Sequence, residues 1–149
     1  MHDHADHHDA ELLLRLYDIR REARLRQARD WYFREFHAGT FEELMQQYPP
    51  GSPENASFRM VVSYWDMACS IVNQGLIKEE FFFENTTEFW VVWTKLKQLA
   101  PAMRELRKNP MLWKNLDDLA GRYEKWMGNR APDALEAFRQ QVLNPPVKS

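Results

Sequence analysis

Two groups of side chains carry residue types that could do chemistry. The first is the amino terminus, Met1-His2-Asp3-His4-Ala5-Asp6-His7-His8-Asp9, with four His and three Asp in nine residues. Imidazole and carboxylate suit a borderline cation such as Zn2+ or Ni2+, so His2, His4, His7 and His8 are the metal candidates. They follow no fixed zinc spacing and sit at a chain end, which reads as a weakly chelating tail rather than a preformed centre. The second group is a stripe. At about 100° per residue, Arg59, Ser63, Asp66, Ser70, Asn73 and Gln74 share one arc of a helix. Phe58, Val61, Val62, Trp65, Cys69 and Val72 lie opposite, joined by Met60, Tyr64, Met67 and Ile71. A helix apolar over most of its circumference belongs inside a bundle. Its stripe is then either a solvated edge or the lining of a cleft for a small polar ligand.

Enzyme chemistry finds little purchase. Nucleophilic catalysis needs a nucleophile and a base held together, and Ser63 and Ser70 have no histidine on a rigid neighbour, since His37 is the only one beyond the tail. No Glu-x-x-His pair exists, which excludes the di-iron type of helical bundle. A glycine-rich phosphate loop is also missing from the sequence. Asp66, Glu79, Glu80 and Glu84 could supply an acid/base pair, but nothing selects two of them. No catalytic residue and no cofactor is expected.

Arg15, Arg20, Arg21, Arg24, Arg26 and Arg29 make one segment basic. Read as a continuous helix, they spread around it, and Asp18, Glu22, Asp30 and Glu35 can pair with several, so a solvated helix is expected rather than a nucleic-acid face. Trp93, Trp113 and Trp126 read as core. Trp90 falls off the Phe89/Val92/Trp93 stripe and is expected at the surface or in an interface, where Trp is enriched.

The elements that must position these residues are helices. Periodicity predicts one long helix, straight or bent, from Asp9, its N-cap, to Phe36, ending near Gly39. Thr40 to Glu43 has capping-box spacing and opens a short helix to about Tyr48. Ser52-Pro53 opens a central helix to Gln74, stopped by Gly75. A short turn follows, then a helix capped by Thr86 or Thr87, running through Met103 and kinked at Pro101. Asn109-Pro110 opens another, ended by Gly128-Asn129, and Pro132 to Val142 forms the last. The expectation is an all-α single-domain bundle of about six to seven helices: a flexible tail over 1–8, a domain over 9–143 and a tail over 144–149. Residues 1–6 are expected to add nothing to stability.

Composition agrees. The chain has 149 residues, 44% hydrophobic and 28% charged, enough for one core. A net charge of −2 implies neither a nucleic-acid nor an anionic-membrane partner. The single Cys69 excludes an internal disulfide and favours a reducing, cytoplasmic setting. No signal peptide is visible, and Met60 to Val72, the most apolar run, is too short to span a bilayer.

Tyr64-Trp65-Asp66, the run Ile71-Val72-Asn73-Gln74-Gly75-Leu76-Ile77-Lys78-Glu79-Glu80, the aromatic start of the next helix and Leu112-Trp113 together resemble a bacterial family of all-helical proteins catalogued as a domain of unknown function. The resemblance covers about Arg59 to Trp126. It implies a helical fold and no activity. Some members carry an added hydrophobic anchor that has no counterpart here. The expected function is a non-enzymatic helical protein-interaction module, capable of self-association. The alternative is a small polar ligand-binding protein using Arg59, Ser63, Asp66, Ser70 and Asn73.

Overall fold

A computed structural model describes residues 4–144 of the chain. Among these residues there are nine helices and no strand: α1 (His7–Arg20), α2 (Ala23–Arg34), α3 (Phe41–Gln47), α4 (Pro53–Asn73), α5 (Glu79–Asn85), α6 (Glu88–Leu96), α7 (Ala100–Leu106), α8 (Lys114–Arg130) and α9 (Pro132–Leu143). The all-α class holds. The helix count exceeds the expected six or seven because two long helices are each broken in two.

The first break falls at Arg21-Glu22. Glu22 leaves the helical region (φ −55°, ψ 141°) and its carboxylate accepts the N–H of Leu25, so it acts as the N-cap of α2. The second falls before Pro101. Proline lacks an N–H and crowds the carbonyl four residues back, here that of Lys97. The chain bridges the gap with tight turns, Leu99 N–H to Leu96 O and Ala100 N–H to Lys97 O, and Pro101 sits in the first turn of α7. The expected kink is therefore a break.

Several local signals act as read. Thr40 caps α3, and Ser52 with Pro53 opens α4. Gly75 takes a left-handed φ of 81°, which lets the chain turn sharply out of α4. The amino end differs from expectation. α1 starts at His7, inside the segment expected as tail, and its N-cap is Asp6, not Asp9. Asp6 accepts the N–H groups of His8 and Asp9, while Asp9 accepts that of Asp6. Asp6 thus takes part in the fold. Asp9 is buried and reaches across the molecule, its Oδ2 accepting the Lys78 N–H at 2.6 Å just before α5.

α4 is the axis. It packs on α2 and α8, with α6 and α5 alongside. One aromatic cluster joins Tyr32, Phe36, Tyr48 and Phe58. Another joins Phe83, Phe89, Tyr123 and Trp126. α1 lies over this body with Leu16 as its one fully buried aliphatic side chain and Leu12 and Leu13 packed partly against the core.

Candidate functional site

The polar stripe of α4 is mostly a seam. Asp66 Oδ1 accepts the N–H of Leu116 at 3.1 Å, which satisfies one of the orphan donors at the start of α8. α8 has no side-chain cap of its own, because Trp113 precedes it in a left-handed conformation (φ 60°). This also moves the start of α8 from the expected Pro110 to Lys114, and α8 runs past Gly128-Asn129 to Arg130. Asn73 Nδ2 donates to the carbonyl and side chain of Asn115 at 3.2 and 3.1 Å, and Asn73 accepts from Arg122. Arg59 bonds Asn55 on its own helix at 3.1 Å, and Ser63 bonds back to the Met60 carbonyl. Arg59 and Ser63 are exposed, and Ser70 is half-buried. The carboxyl end of the stripe, Asn73 and Gln74, borders a cavity. About 610 Å³ opens there beside Asn73, Lys78, Glu79, Asn115 and Arg122. Arg122 and Glu79 already pair at 2.7 Å. The structure therefore does not bring the six stripe residues into one cleft.

Trp90 corrects a second expectation. It is 0% exposed. Its Nε1 donates to Glu124 at 2.9 Å, and Phe138 of α9 stacks on it with ring centres 5.5 Å apart. The helix carrying it is enclosed by α4 on one side and by α8 and α9 on the others. A residue off the α4-facing stripe is thus as buried as one on it. Trp65 and Trp93 are buried as expected.

His4, His7 and His8 are exposed, with His7 and His8 in the first turn of α1; His2 lies outside the described residues. Among the described residues, no three His, Cys, Asp or Glu stand together as a metal site would require.

The most concentrated electrostatics lie where no site was read. Glu88, in the first turn of α6, receives a two-pronged bond from Arg29, Nε to Oε2 and Nη2 to Oε1, both at 2.6 Å. Trp65 Nε1 donates to the same Oε2 at 2.8 Å, and Arg20 stands 3.8 Å from Oε1. Arg29 also donates to the Arg20 carbonyl, closing the end of α1. The bond to Glu88 holds the Arg29 guanidinium above its ordinary pKa. In one continuous helix Arg20 and Arg29, nine residues apart, would face opposite ways at 100° per residue. The break at Glu22 turns both onto Glu88, so these arginines are not simply a solvated face. The available signal was an acid set directly before the buried pair Phe89-Trp90.

Beside this cluster lies a mainly apolar pocket of about 260 Å³ between α1, α4 and α5. Leu13, Leu14, Leu16, Tyr17, Tyr64, Trp65 and Phe82 line it, with Arg20, Asn85 and Thr86 as polar members. Thr86 Oγ1 is buried and has no hydrogen-bond partner among the described residues. The Tyr64 hydroxyl donates to the Leu16 carbonyl, tying α1 to α4, and burial pushes its pKa up to about 12. Elsewhere, Lys95 donates to the carbonyls of Tyr32 and Phe33 at 2.7 and 3.2 Å, at the end of α2. Burial lowers its pKa to about 8. Burial likewise raises the Cys69 thiol well above its usual value, which makes it a poor nucleophile.

The profile of the family described as "Domain of unknown function (DUF4760)" matches residues 5–126, and the chain belongs to that family. No curated protein and no solved structure matches the chain. Among the described residues, no helix is long and apolar enough to cross a membrane.

Proposed function

We propose that this chain is a non-enzymatic helical interaction module that pairs with a second copy of itself through α1. The observation that carries this reading is the placement of exposed apolar side chains. Among the described residues, five of the nine large ones, Leu14, Tyr17, Ile19, Met60 and Met67, lie on α1 and α4. Scattered apolar residues are ordinary on a surface, but grouped ones mark contacts. Leu14 is 66% exposed and Tyr17 48%, and together with Ala10 and Leu13 they occupy one flank of α1. Charge favours a copy of the same helix as the partner. The exposed amino end of α1 carries Asp6 and Glu11, and the exposed carboxyl end carries Arg15 and Arg21, with Asp18 the exception. A two-fold antiparallel pairing sets each acidic end against the other copy's basic end. The buried Cys69 thiol, the only cysteine, is in keeping with a cytoplasmic setting.

The small polar ligand reading keeps less support. Of its five residues only Asn73 lines the polar cavity, and it is already bonded to Asn115 and Arg122.

Sedimentation equilibrium over a hundredfold range of concentration tests the pairing. The expected result is a reversible monomer–dimer equilibrium that weakens with salt. Leu14→Glu should abolish it with an unchanged melting temperature. Glu11→Arg should weaken it, and adding Arg21→Glu should restore it. A monomer at every concentration would sink the proposal.

A further inference from the structure

The pocket between α1, α4 and α5 has the chemistry of a ligand site, and its rim shares Leu13, Leu14 and Tyr17 with the flank of α1 through which the chain is proposed to pair. We propose that it binds a small amphipathic monoanion of the medium-chain carboxylate class. Its walls set the apolar part. Leu13, Leu16, Tyr64, Trp65 and Phe82 surround about 260 Å³. That is just below the roughly 300–1,000 Å³ that takes drug-sized molecules, so the occupant is small.

The charge balance sets the head group. Glu88 is the one carboxylate of the cluster, facing two guanidinium groups. Arg29 engages both of its oxygens, and Trp65 shares one of them. Arg20 is left at 3.8 Å with no other ion pair among the described residues, its guanidinium lying over the Tyr17 ring at 4.5 Å. The cluster therefore holds a surplus of one positive charge, carried by a residue that lines the pocket. A carboxylate matches the planar fork of arginine. Asn85 and Thr86 add neutral polar groups to the lining, so Arg20 is its one charged member.

An apolar body and a single anionic head together exclude two other classes. A dianion such as a phosphate monoester would overbalance the one surplus charge. A cation would be repelled by Arg20.

Calorimetric titration of the purified chain with butanoate, hexanoate and octanoate, beside 1-hexanol and hexylamine, tests the proposal. Affinity should rise about fourfold per added methylene until the pocket is full. Hexanoate should bind at least about tenfold more tightly than hexanol, hexylamine should not bind, and added salt should weaken hexanoate alone. Arg20→Gln should bring hexanoate down to the level of hexanol, whereas Arg20→Lys should keep most of the difference. The salt comparison needs no variant, so it stands even if Arg20→Gln is poorly folded. Equal binding of hexanoate and hexanol, or no saturable binding by any of the five probes, would overturn the assignment. Because Leu13, Leu14 and Tyr17 border the pocket as well as the pairing flank, the titration is run at a concentration where sedimentation shows the monomer, and a chain that is monomeric at every concentration yet binds hexanoate would refute the pairing and support the pocket.

Discussion

Asp66 caps a helix to which it does not belong: its carboxylate accepts the backbone N–H of Leu116, fifty residues along the chain, at 3.1 Å. The bond joins the middle of α4 to the first turn of α8, where a negative charge also meets the positive end of the helix dipole. Asp66→Ala should cost about 0.5–2 kcal/mol, the usual range for a lost N-cap. Asp66→Asn keeps an acceptor and should cost less. Urea titration of both variants checks the order. Equal losses would mean that the cap adds nothing measurable.

Trp90→Ala should be among the most damaging single truncations in the chain. The ring is fully buried between Phe138 and Tyr123 and bonded to Glu124. Emptying such a site typically costs about 3–5 kcal/mol. Trp65→Ala should fall in the same range, and it also strips a donor from Glu88. A denaturant series on the two variants decides it. A Trp90→Ala protein of near-wild-type stability would contradict the packing described above.

Glu88→Gln leaves the Arg29 guanidinium without its counter-charge. A loss of about 1.5–3 kcal/mol is expected, the range for hydrogen bonds to charged groups. Replacing the pair together, Glu88→Gln with Arg29→Met, should recover part of that, since a charge left without its partner is worse than an apolar substitute. If the double variant is as unstable as the sum of the two single ones, the residues do not act as a pair.

Stability should depend on alkaline pH in two opposite ways. Lys95 titrates near 8 in the folded chain against 10.5 for a free lysine. Below pH 8 both states hold the proton; between 8 and 10.5 the unfolded chain holds more, so stability rises with pH. Tyr64 titrates near 12 against 10.0. From about pH 10 the unfolded chain ionises first, so stability then falls. Melting temperatures from pH 7 to 11 should climb above 8 and turn down past 10. Lys95→Met should remove the climb. Tyr64→Phe should soften the fall without abolishing it, because Tyr32 is also raised by burial.

What could be read from sequence was local. Thr40, Ser52-Pro53 and Gly75 act through their own backbone, and each does what its type and position imply. The misreadings divide between local breaks, at Glu22 and Pro101, and side chains whose burial depends on a distant partner. Glu22 interrupts a pattern that is helical on both sides, and the apolar period alone does not report the break. Trp90 looks unpartnered until α9 folds back over it. The stripe of α4 looks like an open edge until α8 is laid against it and takes up Asp66 and Asn73. The Glu88 cluster was the hardest to see, because Glu88 is far along the chain from its two arginines, and Arg20 and Arg29 turn to the same carboxylate only after the chain breaks at Glu22.

α9 buries no residue completely, yet Phe138 is what covers Trp90. The match to the family ends at residue 126, before α9 begins at Pro132. A large aromatic residue at position 90 is thus tied to a segment that the shared domain does not include. Relatives that stop where the match stops should carry something smaller or more polar there, or bring a different element to shield it. Across an alignment, the identity of residue 90 and the presence of an aromatic residue at 138 should therefore change together, while Trp65, held inside the shared domain, should vary independently of whatever follows residue 126.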